Sequence, residues 1–195
     1  MSELRKNELA KRARRVRLVV TDVDGVWTDA GVYYGARGEV YKRFSVRDGM
    51  GVERLRDVGI ATAIISGESS PSVRSRARKL QITHCYLGVR NKPKKLDAIL
   101  KKTGLRAEQV AYIGDDVNDL EIIARVARLG LTGAPADAFT EVADGVHYLC
   151  QADGGHGAFR DFAEWILGLR AIRYHTVTKI HENVTRPPKR TSKLV

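Results

Sequence analysis

The chain has 195 residues, 43% of them hydrophobic, which suits one ordinary folded domain and argues against global disorder. Its 34 Lys and Arg against 23 Asp and Glu give a net charge of +11, and no run approaches the ~18 apolar residues of a membrane span. The two cysteines, Cys85 and Cys150, have neither metal-ligand spacing nor a disulfide framework, so both read as buried thiols of a reducing cytoplasm.

The excess of positive charge gathers at the two ends. Residues 5–17 carry Arg5, Lys6, Lys11, Arg12, Arg14, Arg15 and Arg17, and residues 186–195 carry Arg186, Lys189, Arg190 and Lys193. Solvated faces and tails explain this more simply than a nucleic-acid site, so nucleic acid is not expected as a partner. The opening MSELRKNELAKRARRVR is basic without the apolar stretch of a secretory leader. It reads as a short helix over 3–15 within a basic N-terminal segment, 1–16.

RLVVTDV (17–23) then reads as a buried strand. VYYGARGEVYKRF (32–44) alternates around a Gly35–Gly38 turn and reads as a β-hairpin. MGVERLRDVG puts Val52, Leu55 and Val58 on one helical face and ends on Gly59, a plausible C-cap. IATAIISG is a second buried strand, and SSPSVRSRARKLQ opens with the Ser and Pro of a helix N-terminus. A short strand THCYLGV, a helix KPKKLDAILKKTG, a third buried strand QVAYIGDD and a helix NDLEIIARVARLG follow. LGLTGAP is one more short strand, and GAFRDFAEWILGLRAIRYH reads as the last amphipathic helix. The end of 171–195, with its Pro-Pro and basic residues, reads as a disordered tail. Strands alternating with helices predict an α/β fold over 17–170, a Rossmann-like three-layer domain with a mostly parallel sheet and a hairpin flap.

Three of these strands end in polar residues, as TDVDG, ISGE and IGDDVND. In a parallel sheet those ends share one edge, so residues distant in sequence converge in one crevice. Asp22 and Asp24 lie two apart and face one side while the chain is extended, and Gly25 then permits a sharp turn. Asp115, Asp116 and Asp119 arrive at the same mouth. Clustered carboxylates repel one another, and a hard cation such as Mg²⁺ relieves that repulsion. Lys92 offers a positive charge and Ser66-Gly67 a hydroxyl and a backbone N–H, the groups that neutralise a transferring phosphoryl group. Each feature has a plainer reading. Asp22 and Asp24 can form a strand-end turn. Asp116 and Asp119 can favour a helix N-terminus. Lys92 sits in a lysine-rich run, Glu68 and Lys79 can be surface charges, and His156 is more simply a loop residue than a metal ligand.

Taken in order, DVDGVWTD, ISG, Lys92 and GDDVND resemble the four motifs of the haloacid dehalogenase superfamily of phosphatases. The resemblance implies Asp22 as nucleophile, Asp24 as general acid and then base, and Mg²⁺ held by Asp22, the Asp24 carbonyl and Asp115. It further implies Ser66 and Lys92 on the phosphoryl oxygens and Asp116 or Asp119 supporting the metal ligands. The interval from Asp29 to Ser66 holds only a hairpin and a helix, which leaves no room for a cap domain. FSVRDGMGV, ITHCYLGVRNK and ADGGHGAFRDF narrow the resemblance to capless phosphatases of octulosonic and nonulosonic acid phosphates. That family implies a homotetramer in which hairpin and neighbouring subunits shield the site. It implies Thr28, Ser45, Val46, Arg47, Asp48, Gly49 and Gly67 lining the substrate, with Arg76 and Lys79 reaching into a neighbour. Members for octulosonate 8-phosphate tend to carry arginine after the second motif. This chain carries Glu68 there, with Lys79 eleven residues on, which favours a nine-carbon deaminoneuraminate or N-acylneuraminate 9-phosphate. Another class of function, a phospho-accepting receiver-like signalling module, places its acidic pair and its phosphorylated Asp on different strands, unlike the DxD here.

Overall fold

The computed structural model describes residues 3–171; the tail expected beyond them lies outside the described residues. In chain order the elements begin with helix α1 (Glu3–Arg15), strand β1 (Leu18–Thr21), the hairpin β2 (Tyr33–Gly35) and β3 (Gly38–Tyr41), α2 (Val46–Asp57) and β4 (Ala61–Ile65). They continue with α3 (Pro71–Lys79), β5 (His84–Tyr86), α4 (Lys92–Thr103), β6 (Val110–Ile113), α5 (Leu120–Ala127) and β7 (Leu131–Ala134). The last are α6 (Thr140–Gly145), β8 (Tyr148–Leu149) and α7 (Ala158–Leu169).

Helix boundaries follow local chemistry. Ser70 caps α3 by accepting from Val73 N, with Pro71 at the first helical position. Asn91 caps α4, which stops at left-handed Gly104. Helix α2 starts earlier than the apolar spacing predicts. Ser45 Oγ accepts from Arg47 N and nucleates a polar first turn that periodicity does not mark. Two small elements carry no sequence signal strong enough to predict, α6 and the two-residue β8.

Among the described residues the main sheet has six strands in the order β5-β4-β1-β6-β7-β8, and every pairing in it is parallel. The hairpin β2-β3 is a separate antiparallel ribbon. Side chains alternate across β1. Leu18 and Val20 join the core beneath α4 and α5, while Val19 joins the larger core beneath α1, α2, α3 and α7. That makes three layers. The larger core is closed by Phe159 and Phe162 of α7, with Trp27 packed on Phe159 at 4.8 Å between ring centroids. Helix α1 is more than a solvated basic rod. Arg12 Nη1 donates to the carbonyls of Ala127 (2.8 Å) and Gly130 (3.1 Å) at the end of α5, where a cation complements exposed carbonyls.

The chain leaves β1 for β4 on one side and later crosses to β6 on the other, so the strand order reverses at β1. A crevice opens at such a point, beyond the carboxyl ends of β1, β4 and β6. Between the first and second motifs there is only the hairpin and α2, so the fold has no cap.

Candidate active site

Strand β1 pairs with β6 through Thr21 and Ile113, and the pairing runs one residue further, with Asp22 N donating to Ile113 O (3.0 Å). The chain then turns. The amides of Val26, Trp27 and Thr28 all donate to Val23 O, and buried Trp27 donates to Thr21 Oγ1 (2.9 Å), which pins the loop to the core. Gly25 has φ +78°, and a Cβ there would lie 1.8 Å from Asp115 Oδ2. Glycine thus lets the β1 loop and the β6 carboxylate approach each other closely. The GG of ADGGHG clasps the same loop from the far side, with Gly155 N donating to Val26 O (3.0 Å).

Asp22 is buried. Its Oδ1 accepts from Val23 N (2.8 Å) and its Oδ2 from Lys92 Nζ (2.7 Å). Lys92, in the first turn of α4, is also buried and donates to Asp119 Oδ1 (2.5 Å). Both oxygens of Asp119 are engaged, since Tyr112 OH also donates to Oδ1 and Asp115 N to Oδ2 (3.0 Å). Asp24 Oδ2 and Asp115 Oδ1 are buried and accept nothing among the described residues. Carboxylate oxygens of Asp22, Asp115 and Asp119 all lie within 4.8 Å of one another. A cavity of about 150 Å³ opens on them, lined by Asp22, Asp24, Ser66, Glu68, Asp115 and Asn118 among others.

Two neighbouring carboxyls are pushed toward neutrality. Burial first, and the charge of Asp119 second, raise Asp22 to about 7. Burial and then the charge of Asp22 raise Asp115 to about 8. Burial alone would lower Lys92, but Asp22 and Asp119 outweigh it and hold the ammonium above its ordinary value. One lysine thus faces two buried carboxylates, with a third beside them. The surplus negative charge and the orphaned oxygen of Asp115 fit a hard divalent cation with oxygen ligands.

The haloacid dehalogenase-like hydrolase family profile matches residues 39–126. The chain is 40% identical over 159 residues to the 3-deoxy-D-manno-octulosonate 8-phosphate phosphatase KdsC of Haemophilus influenzae, covering 82% of this chain and 87% of that one. This chain belongs to the KdsC family of haloacid dehalogenase-like phosphatases. The KdsC of Yersinia pestis is 40% identical over 161 residues, 83% of this chain and 84% of its own. Among solved structures, the 3-deoxy-D-manno-octulosonate 8-phosphate phosphatase of Moraxella catarrhalis, in complex with magnesium, phosphate and KDO, superposes with a TM-score of 0.81 at 32% identity. That match covers 89% of this chain and 98% of the Moraxella one. The nine-carbon expectation finds no support among these KdsC relatives, all named for the octulosonate.

Within this KdsC-family chain, Asp22, Asp24, Ser66, Gly67, Glu68, Lys92, Asp115 and Asp119 converge on the crevice, and Asp116 sits at its rim. Several expected positions do not join them in a single chain. Asp116 is exposed and its Oδ1 accepts from Val117 N, so it caps the following turn, while Asp119 braces the cluster. Asp48 turns inward to accept from Arg160 N of α7 (3.1 Å), because the first turn of α2 packs on that helix. Thr28 is buried and its hydroxyl accepts from Gly25 N and Ala30 N, bracing the turn. Gly49 lies beneath Arg76, whose Nη2 donates to Ser45 O (3.0 Å). Val46, Arg47 and Lys79 are exposed away from the cavity. Two partners escaped the sequence reading. Lys42, at the end of the hairpin, forms an ion pair with Asp24, and Glu39 stands beside it. A lysine in a YKRF strand has no local mark of burial.

Proposed function

We propose that this chain is a Mg²⁺-dependent phosphomonoesterase acting on 3-deoxy-D-manno-octulosonate 8-phosphate through an aspartyl-phosphate. The observation that carries the reading is the convergence of Asp22, Asp24, Ser66, Lys92 and Asp115 at one sheet edge. Asp22 is the nucleophile. Its carboxylate attacks phosphorus, the ester P–O bond breaks, and the sugar oxygen takes a proton from Asp24. Asp24 then removes a proton from the water that attacks the aspartyl-phosphate, which frees phosphate and restores Asp22. Ser66 and Lys92 bind the phosphoryl oxygens, and Asp119 holds Lys92 at its post. Mg²⁺, held by Asp22, the Asp24 main-chain carbonyl and Asp115, supplies positive charge that offsets the carboxylates and the transferring group.

The octulosonate is supported by the KdsC relatives and by the KDO bound in the Moraxella structure. A nine-carbon 9-phosphate is the second reading, favoured by Glu68 on the cavity wall. The family's tetramer is part of the proposal and fits the exposed Tyr33, Tyr34, Val40 and Tyr41 of the hairpin. Such an assembly would bring Arg76 and Lys79 toward a neighbour's site. A cytoplasmic setting accords with two free cysteines.

Asp22→Asn tests the nucleophile. Phosphate release should fall at least about a thousandfold while the circular dichroism spectrum stays unchanged. Appreciable turnover by that variant, purified free of other phosphatases, removes Asp22 from the role.

A further inference from the structure

Among the described residues, Lys42 is a basic side chain buried within the hairpin segment, its side chain only 1% exposed. It sits at the end of β3, where the flap returns to the domain, and points at the crevice instead of at solvent. Its Nζ donates to Asp24 Oδ1 and lies 3.8 Å from Glu39 Oε2. Glu39 is itself anchored, because Ser70 Oγ donates to Glu39 Oε1 (2.5 Å). Ser70 is buried and caps α3 just after the second motif. A chain of contacts therefore runs from Asp24 through Lys42 and Glu39 to the start of α3. It joins the loop after β1, the flap and the loop after β4, three segments that must keep register for the crevice to work.

The two oxygens of Asp24 differ in consequence. Oδ1 is held by Lys42, and Oδ2 is buried without a partner among the described residues. We propose that Lys42 is a positioning residue for the phosphatase reaction: through its contact with Oδ1 it fixes the rotamer in which the Asp24 carboxyl meets the leaving oxygen. The proposal rests on the reading of Asp24 as general acid. When the ester P–O bond breaks, its electron pair stays on the sugar oxygen, and the proton from the Asp24 carboxyl completes the alcohol. A carboxyl free to rotate would offer that proton at the wrong angle for part of the time, and proton transfer depends on such alignment. The residue that anchors the flap thus orients the acid.

Leaving-group dependence separates positioning from a merely structural role. A primary alkoxide, as from octulosonate 8-phosphate, needs the proton; p-nitrophenolate leaves without one. The comparison uses kcat/KM, which reports the steps through cleavage of the ester. Lys42→Met should lower kcat/KM for octulosonate 8-phosphate about a hundredfold and for p-nitrophenyl phosphate less than about threefold, within the usual range of general-acid effects. Lys42→Arg should recover most of the loss. Asp24→Asn, measured alongside, should show the same selectivity with a larger drop. Equal losses on both esters for Lys42→Met, with Asp24→Asn selective, overturn the proposal and leave the general acid standing. Equal losses for Asp24→Asn overturn the reading of Asp24 beneath it. Should Lys42→Met fail to fold, Lys42→Gln and Lys42→Arg carry the comparison, and a non-selective loss in both refutes the role.

Discussion

Asp22 and Asp115 show how single residues carry both cost and function. Both are raised, to about 7 and about 8, first by burial and then by neighbouring carboxylates. Between the ordinary value of 3.8 and these raised values, the folded protein binds protons that the unfolded chain has released. The contribution of these two groups to the stability of metal-free protein is therefore greatest at low pH and is lost as pH rises through about 7 to 8. A divalent cation competes with those protons, so its benefit has the opposite slope. Thermal melts with and without millimolar Mg²⁺ should show a small rise in Tm at pH 5 and a larger one at pH 8. A rise independent of pH would separate the metal from these two carboxyls. The meeting of Asp22, Asp24 and Lys92 in one crevice can be read in the sequence because each follows a strand or starts a helix, where direction follows from chain order; the roles proposed for them come from the family resemblance. Lys42 and Glu39 cannot, since nothing local shows that a flap strand folds back over the DxD loop. The contact of Asp48 with α7 is hidden for a related reason: Ser45 starts a helix there that apolar spacing does not mark, and its first turn carries Asp48 onto α7.

At the scale of elements, the buried strands and their helices follow from apolar runs and caps, and the parallel sheet follows from their alternation. What periodicity missed was short, α6 and β8, where too few residues lie in each for a period to emerge. The clasp between the GGHG loop and the DxD loop was also hidden, because glycine signals freedom without naming the contact that needs it. A Cβ on Gly154 would lie 1.9 Å from Gly25 O, a backbone atom with nowhere to go. Gly154→Ala should therefore displace the loop that carries Asp24. The expected result is a loss of about 1–3 kcal/mol of stability, from overpacking, and a fall of about a hundredfold in kcat/KM, from a shift of the order of 1 Å at the site. Chemical denaturation and steady-state kinetics measure the two. Full activity in the variant would show that the clasp does not set the loop.

For the whole molecule, the capless fold leaves the crevice of one chain open on the side of the hairpin. Tyr33 and Tyr41 stack on each other at 4.6 Å, yet both remain half exposed, as does Val40. Exposed aromatic ribbon beside an open site is what a shielding neighbour would cover. Sedimentation equilibrium should give four chains of 21.7 kDa, and a monomer at micromolar concentration would contradict the proposed assembly. Among the described residues no helix is long and apolar enough to cross a membrane. Fold class and the edge where the site forms were thus legible from sequence, whereas substrate was not, because Glu68 and Lys79 pointed to a nine-carbon ester while the relatives are named for the octulosonate. The most direct measurement is Mg²⁺-dependent phosphate release from octulosonate 8-phosphate, deaminoneuraminate 9-phosphate and N-acetylneuraminate 9-phosphate, side by side. The account predicts the highest kcat/KM for the octulosonate, with activity lost on removing Mg²⁺. A preference for either nine-carbon ester would contradict the proposed substrate, and no release from any would contradict the sugar-acid reading itself.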